Sequence, residues 1–280
     1  MKRDVAVCLS FLLFLAACCV QISSRMYQTA ASLGLSRADF DGDAFRRMQL
    51  GERMLPALQE SCSTAKLPPG EVLAVLLPFT GFRFLDTRGM TEKELLSWKE
   101  IFLRQNRTGY ERAAACFGAV WNDVVCFPVP EDGIQYENSW MFERTYGGLR
   151  GHEGTDLMPP QNLPGYYRVV SMTDGVVEKI GWLPKGGWRI GIRSPSGGYF
   201  YYAHLDSYSR DFRIGDTVLA GEELGRMGDT GYGEEGTRGK FDVHLHLGIY
   251  LRTQENEELS VNPYWVLRYV SHHSSAIASG

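Results

Sequence analysis

The chain has 280 residues, 44% of them apolar, and a formal net charge of −4. That length suits one large domain or two ordinary ones and can bury a sizeable core. The slightly acidic balance gives no footing for a polyanion, so a nucleic-acid partner is not expected.

The first 25 residues read as an export segment. Lys2 and Arg3 precede an apolar run from Val5 to Ile22, interrupted only by Ser10 and Gln21. The run is close to the minimum for a membrane span, and the basic residues before it orient the remainder outward. Three readings stand: a cleaved signal, a transmembrane anchor, or a lipoprotein leader in which Leu15-Ala16-Ala17-Cys18 is the lipobox. Each places the bulk of the chain outside the cytoplasm, secreted or tied to the membrane.

Residues 26–126 carry helical periodicity. Ser36 with Asp39 and Thr91 with Glu94 have capping-box spacing. "LPPGEVLAVLLP" suggests a helix started after Pro68-Pro69 and stopped at Pro78, and "ERAAACFGAVWNDVV" another with one apolar face. "DFDGD" lacks the twelve-residue spacing and closing Glu of a calcium loop, so it reads as turn and cap chemistry. This half has no histidine and no catalytic constellation. It is expected to position the rest of the chain as a spacer, a partner surface or a lid.

Beyond the leader, the cysteines are Cys62, Cys116 and Cys126. Cys116 and Cys126 could pair, or all three could be buried free thiols. No CxxC spacing offers a thiolate metal site.

After "CFPVPEDG" the texture changes, and residues 127–146 read as a linker. "GVVEKIGW", "GWRIGIR", "GYFYYAHL" and "FDVHLHLGIY" read as strands, with "SPSGG" as a hairpin turn between the second and third. The last strand alternates strictly: Phe241, Val243, Leu245, Leu247 and Ile249 on one face, His244 and His246 on the other. Two adjacent imidazoles either sit idle in solvent or hold something between them. His152 lies four residues before Asp156 in "GHEGTD". His204 ends the alternating "YFYYAHL", on the face of Phe200 and Tyr202. Together these residues supply the nitrogen and oxygen ligands of a catalytic zinc, with two histidines to spare. "HEGTD" superficially resembles the HExxH helix of zincins. The surrounding glycines and Pro159-Pro160 oppose a helix there, which leaves Glu153 as a solvent-facing residue. His272 and His273, in the Ser/Ala-rich tail, are expected to be solvated.

The order HxxxD, then a histidine in "YYAHL", then "VHLHL" resembles the lysostaphin/LytM-type zinc metalloendopeptidases. "DGVVEKIGW", "GDTVLAGEELGRMGDTG" and "VNPYWVL" resemble the glycine-turn framework of that family, and the likeness covers roughly 147–268. It implies one Zn2+ per chain held by His152, Asp156 and His246, with His204 and His244 as unliganded catalytic histidines. Zinc activates water and polarises the carbonyl, one histidine moves the proton, and the other bonds the oxyanion. His244, beside a ligand, is the choice for the base. The implied substrate is bacterial peptidoglycan. The alternatives are a catalytically silent member that binds the wall or activates another wall hydrolase, and a small-molecule or sugar binder with a structural metal.

The expected fold class is α+β: an export or anchor segment (1–25), a helical region with a possible protein partner (26–126), a linker (127–146), a mainly antiparallel β metallopeptidase domain (147–270), and a flexible tail (271–280).

Overall fold

The computed structural model describes residues 2–85, 87–146 and 148–278, and the side chains of all of these except 2–4 and 272–278. The side chains of His272 and His273 therefore lie outside the described residues.

One unbroken helix, α1 (Lys2–Ser36), opens the fold. Its apolar stretch is long enough to cross a membrane and is not buried by the protein. Its last turns are buried, with Ala31 at 6% and Leu35 at 0% exposure. Ser36 therefore ends α1 and does not cap a new helix. Asp39 instead closes a turn by accepting the backbone N–H groups of Asp41 and Gly42.

α2 (Asp43–Arg46), α3 (Met54–Ala65), α4 (Pro69–Thr80), α5 (Glu92–Gln105) and α6 (Arg107–Trp121) follow. Thr91 and Glu94 form the expected capping box at the start of α5. Pro78 does not stop α4. It sits in the last turn, and the helix ends at Gly81, whose left-handed backbone closes it.

β1 (Glu143–Arg144) and β2 (Arg150–Gly151) form a small hairpin. The main sheet has nine strands: β3 (Thr155–Leu157), β4 (Arg168–Val170), β5 (Gly175–Leu183), β6 (Gly187–Arg193), β7 (Tyr199–Tyr208), β8 (Thr217–Val218), β9 (Glu223–Met227), β10 (Leu245–Leu251) and β11 (Leu259–Val261). All recorded pairings are antiparallel. The expected hairpin turn at "SPSGG" joins β6 to β7, with Ser194 N–H donating to Gly198 O at 2.8 Å. β10 begins at Leu245, later than the alternation suggests, and His244 is tied only by a bridge to Gly228.

The fold is thus α+β, with helices before an antiparallel sheet, but the two parts share one core. Leu245, Leu247 and Ile249 on β10 and Phe200 and Tyr202 on β7 belong to the same buried cluster as Phe117 and Trp121 of α6. The helices cover one face of the sheet and leave the other as a cleft.

Residues 127–146 are more than a linker, because Val129 is buried in this core and Phe127, Ile134 and Tyr136 pack against it. α7 (Tyr264–Ala278) closes the chain's described part, with its backbone helical into the tail and its Tyr269 ring packed edge-on against Trp121. Cys62, Cys116 and Cys126 are unpaired thiols, and burial raises Cys62 to about 12 and Cys116 to about 11.

Candidate active site

Sheet register brings the distant motif residues together. β3 pairs with β10 so that Asp156 stands directly opposite His246, and on the other edge of β10 His246 pairs with Ala203, next to His204. His152 lies between β2 and β3. The HEGTD segment is extended, so the helical HExxH reading does not apply. Glu153 bonds Arg46 of α2 at 3.0 Å. Gly154 is needed for close approach, since a Cβ there would fall 2.4 Å from His246 Cε1.

His204 reaches the cleft by breaking the strand pattern. Alternation would send it into the core with Phe200 and Tyr202, which is the face the sequence suggested. Instead its backbone is left-handed, with φ +60°, and the β7–β9 register shifts just after it, between Leu205 and Ser207. The flip turns the ring toward the other imidazoles. Backbone strain of this kind in a non-glycine residue survives where the surroundings enforce it.

Three donor atoms form a nearly equilateral triangle. His152 Nε2 lies 3.0 Å from Asp156 Oδ1, His246 Nδ1 lies 2.9 Å from the same oxygen, and the two nitrogens are 3.1 Å apart. A tetrahedral zinc with bonds of ~2.0–2.1 Å spaces its ligand atoms by roughly 3.3–3.4 Å. The triangle needs only slight opening to fit, and its donors are of the right type. No other such group of His, Cys, Asp and Glu occurs among the described residues. Burial works to raise the Asp156 carboxyl, but hydrogen bonds from His152 and His246 outweigh it and hold it well below the usual carboxylate range. Burial lowers His246, against the bond to Asp156.

Two imidazoles border this triangle. His204 Nδ1 lies 2.7 Å from Thr230 O, and His244 Nδ1 lies 2.7 Å from Asp242 O. A carbonyl only accepts, so each Nδ1 carries a proton, and in the neutral ring the lone pair then lies on Nε2. Their rings are 4.7 Å apart, and His244 Nε2 is 3.8 Å from Asp156 Oδ1. Burial first, then the nearby His244 and His246, holds His204 well below its ordinary value, so it is neutral.

Two further residues escaped the sequence reading, and both come from the stretch taken as a linker. Ser139 Oγ is 3.1 Å from His152 Nδ1. Arg144 donates to Asp156 Oδ2 at 2.6 Å and lies 3.1 Å from His152 Nδ1. A guanidinium only donates, so the Arg144 contact needs the Nδ1 lone pair, with the proton on Nε2. A ligated Nε2 needs the reverse tautomer, with Nδ1–H donating to Ser139. The two partners of His152 thus serve different tautomers.

The four histidines, Asp156 and Arg144 border a cleft of about 840 Å³, and no described residue of 26–126 lines it.

An antiparallel sheet carrying two histidines and a carboxylate at one point, flanked by two further imidazoles, is the framework of a metal-dependent hydrolase. Residues 150–263 match the model for peptidase family M23. An L-Ala–D-Glu endopeptidase of Bacillus subtilis (strain 168) is 43% identical over 143 residues, 51% of this chain; the match spans 42% of that relative's length. A crystal structure of a Ruminococcus gnavus protein assigned as a LytM glycyl-glycine endopeptidase is 49% identical, with a TM-score of 0.74, covering 87% of this chain and 96% of that one. The chain belongs to peptidase family M23. The share of the chain covered exceeds what the sheet alone could supply, so the helical layer has a counterpart in that structure.

Proposed function

We propose that the protein is a zinc-dependent endopeptidase that hydrolyses peptide bonds in bacterial peptidoglycan, working outside the cytoplasm while α1 ties it to the membrane. The observation that carries the reading is the triangle of His152, Asp156 and His246 beside two histidines whose Nε2 atoms are free to act. The cleavages for which these relatives are named, L-Ala–D-Glu and glycyl-glycine, support a wall peptide as substrate. The unbroken passage of α1 from its apolar stretch into the helical core supports an uncleaved anchor.

His152 and His246 give nitrogen ligands and Asp156 an anionic oxygen. Zinc held there supplies a Lewis acid that polarises the scissile carbonyl and makes water nucleophilic near neutral pH. The chain's own groups do the remainder. His244 Nε2, less buried than His204, takes the proton from the attacking water and returns it to the leaving amine. His204, held neutral by burial with Nδ1–H on Thr230 O, has its Nε2 lone pair free to accept from the attacking water and hold it in line with the carbonyl.

The test combines metal analysis of the full chain in detergent with digestion of purified peptidoglycan, fragments being identified by mass spectrometry. About one zinc per chain, lost in His246→Ala, together with new amino termini in the digest, is expected. Full zinc occupancy in His246→Ala, or an undigested wall with the zinc-loaded protein, overturns the reading. Retention of full-length mass and membrane attachment in Cys18→Ser distinguishes an anchor from a lipoprotein.

A further inference from the structure

The cleft face of the sheet continues beyond the metal cluster. Paired positions on three strands present Gly191, Tyr201 and Gly248 in one row and Arg193, Tyr199 and Tyr250 in the next. Arg189, two residues before Gly191 on β6, lines the same cleft. The tyrosine rings form a patch, with centroids 5.9 Å apart for Tyr199 and Tyr250, 6.2 Å for Tyr201 and Tyr250, and 6.5 Å for Tyr199 and Tyr201. Tyr201 lies 6.1 Å from the His246 ring, so the patch begins where the metal cluster ends.

Two glycines let these rings lie along the sheet. A Cβ on Gly191 would fall 2.0 Å from the Tyr199 hydroxyl, and one on Gly248 would fall 2.7 Å from the Tyr250 ring. The three hydroxyls border the cleft without a hydrogen-bond partner among the described residues.

Arg189 brings a full positive charge to this wall. Its Nε and Nη1 are buried and have no hydrogen-bond partner among the described residues, an arrangement that costs desolvation of a charged group. Its charge bears on the patch: burial raises Tyr201 to about 12, and Arg189 acts against that rise.

Nearby carboxylates do not neutralise it. Glu153 holds Arg46, Asp156 holds Arg144, Glu178 holds Arg193 and Glu258 holds Lys179. Arg150 and Lys185 also border the cleft without a carboxylate partner among the described residues. The uncompensated charge of the cleft is therefore positive.

We propose that Arg189 and the hydroxyls of Tyr199, Tyr201 and Tyr250 form a subsite for a substrate carboxylate, so that the preferred substrate is an acidic peptide and not an uncharged glycyl bridge. The inference rests on the peptidase reading above. At ~3.3–3.6 Å per extended residue, the patch begins, at Tyr201, within about two residues of the bond held at the cluster. Arginine suits the task because its planar charge is permanent and weakly hydrated, and tyrosine hydroxyls can donate to the same anion.

Two tripeptide amides, L-Ala–D-Glu–L-Lys and its D-Gln counterpart, are titrated calorimetrically into the metal-free full chain in detergent. Their cleavage by the zinc-loaded chain is followed in parallel. The wild-type chain is expected to bind the Glu peptide about 10- to 100-fold more tightly, the range of a hydrogen bond to a charged group. Arg189→Gln should bring the ratio close to one, and Tyr250→Phe should reduce it partly. A wild-type ratio near one, or a ratio unchanged in Arg189→Gln, overturns the subsite. The wild-type ratio decides even where a variant does not fold. A retained binding ratio with neither peptide cleaved upholds the subsite and counts against the peptidase reading. Equal binding with equal cleavage does the reverse.

Discussion

Arg46 of α2 meets Glu153, the residue after His152, at 3.0 Å, and the same guanidinium bonds the carbonyl and hydroxyl of Ser260 at 3.1 and 2.8 Å. A helix from the first half of the chain therefore braces the loop that carries two candidate metal ligands. Asp41 accepts from Asn256 at 2.7 Å, and Asp123 accepts from Ser196 N–H at 2.6 Å. The helices cover the back of the sheet and the cleft occupies its front, so the helical half supports the site from behind.

This joint core makes the sheet dependent on the helices. A fragment of residues 127–280 is expected to aggregate or to melt without cooperativity, because it exposes the apolar surface that α6 covers. Phe117→Ala in the full chain should cost about 3–5 kcal/mol, the usual range for a buried aromatic. Chemical denaturation of the variant and circular dichroism of the fragment check both. A fragment with a sharp native-like transition would contradict the shared core.

Ser139 fixes the His152 tautomer that a metal needs, by accepting from Nδ1–H. Partners of this kind are typically worth 10–100-fold in metal affinity. Ser139→Ala is expected to weaken zinc binding by about that factor in a competition titration with a chelator, with activity recovered at excess zinc. Unchanged affinity would mean that solvent holds Nδ1–H equally well and that Ser139 is not needed for the tautomer.

Much of the site was legible because period-two alternation survives without tertiary information. His244 and His246 share a face, Leu245 and Leu247 share the other, and the sheet preserves that division. Thr91 with Glu94 is likewise a local signal, satisfied within a single turn. Ser36 with Asp39 shows the limit, since the same spacing arises by chance where a helix ends. The groove-side turn of His204 was hidden because it depends on a left-handed residue and a register shift, which β-propensity does not encode. Arg144 and Ser139 left no mark either. They reach His152 through chain packing, from a segment whose own pattern reads as turns. The apolar faces of α6 and α7 were visible as helical stripes or framework, but periodicity does not reveal which surface covers a stripe.

On the cleft side, Glu178 accepts a two-pronged bond from Arg193, at 2.5 Å from Nε and 2.7 Å from Nη2. That bond holds its carboxyl below the ordinary value, with burial opposing. A lowered folded value means that the unfolded chain takes up the proton first as pH falls. The stability from this pair is therefore complete above the unfolded value of ~4.3 and is lost as pH falls through the folded one. At neutral pH the pair should be worth roughly 1 kcal/mol or less. Urea titrations of wild type and Glu178→Gln should differ at pH 7 and converge below about pH 4. A difference that persists in acid would assign the effect to packing.

His204 and His244 give the sharpest test of the mechanism, because they stand beside the triangle without belonging to it. Each has Nδ1 tied to a backbone carbonyl and Nε2 left with a lone pair. Neither is needed to hold a metal that already has three protein ligands. His204→Ala and His244→Ala are therefore expected to keep zinc at the wild-type ratio while losing ~10²–10⁴-fold in turnover, the usual worth of acid–base assistance. The two losses should differ in kind. His244 can move a proton, so removing it should flatten the limb of the pH–rate profile that reports the base. His204 is buried and neutral, so its loss should lower the rate at every pH without changing the profile. Near-wild-type turnover in both variants would make them structural residues and end the proposed division of roles. Loss of zinc from either would move that histidine into the ligand set.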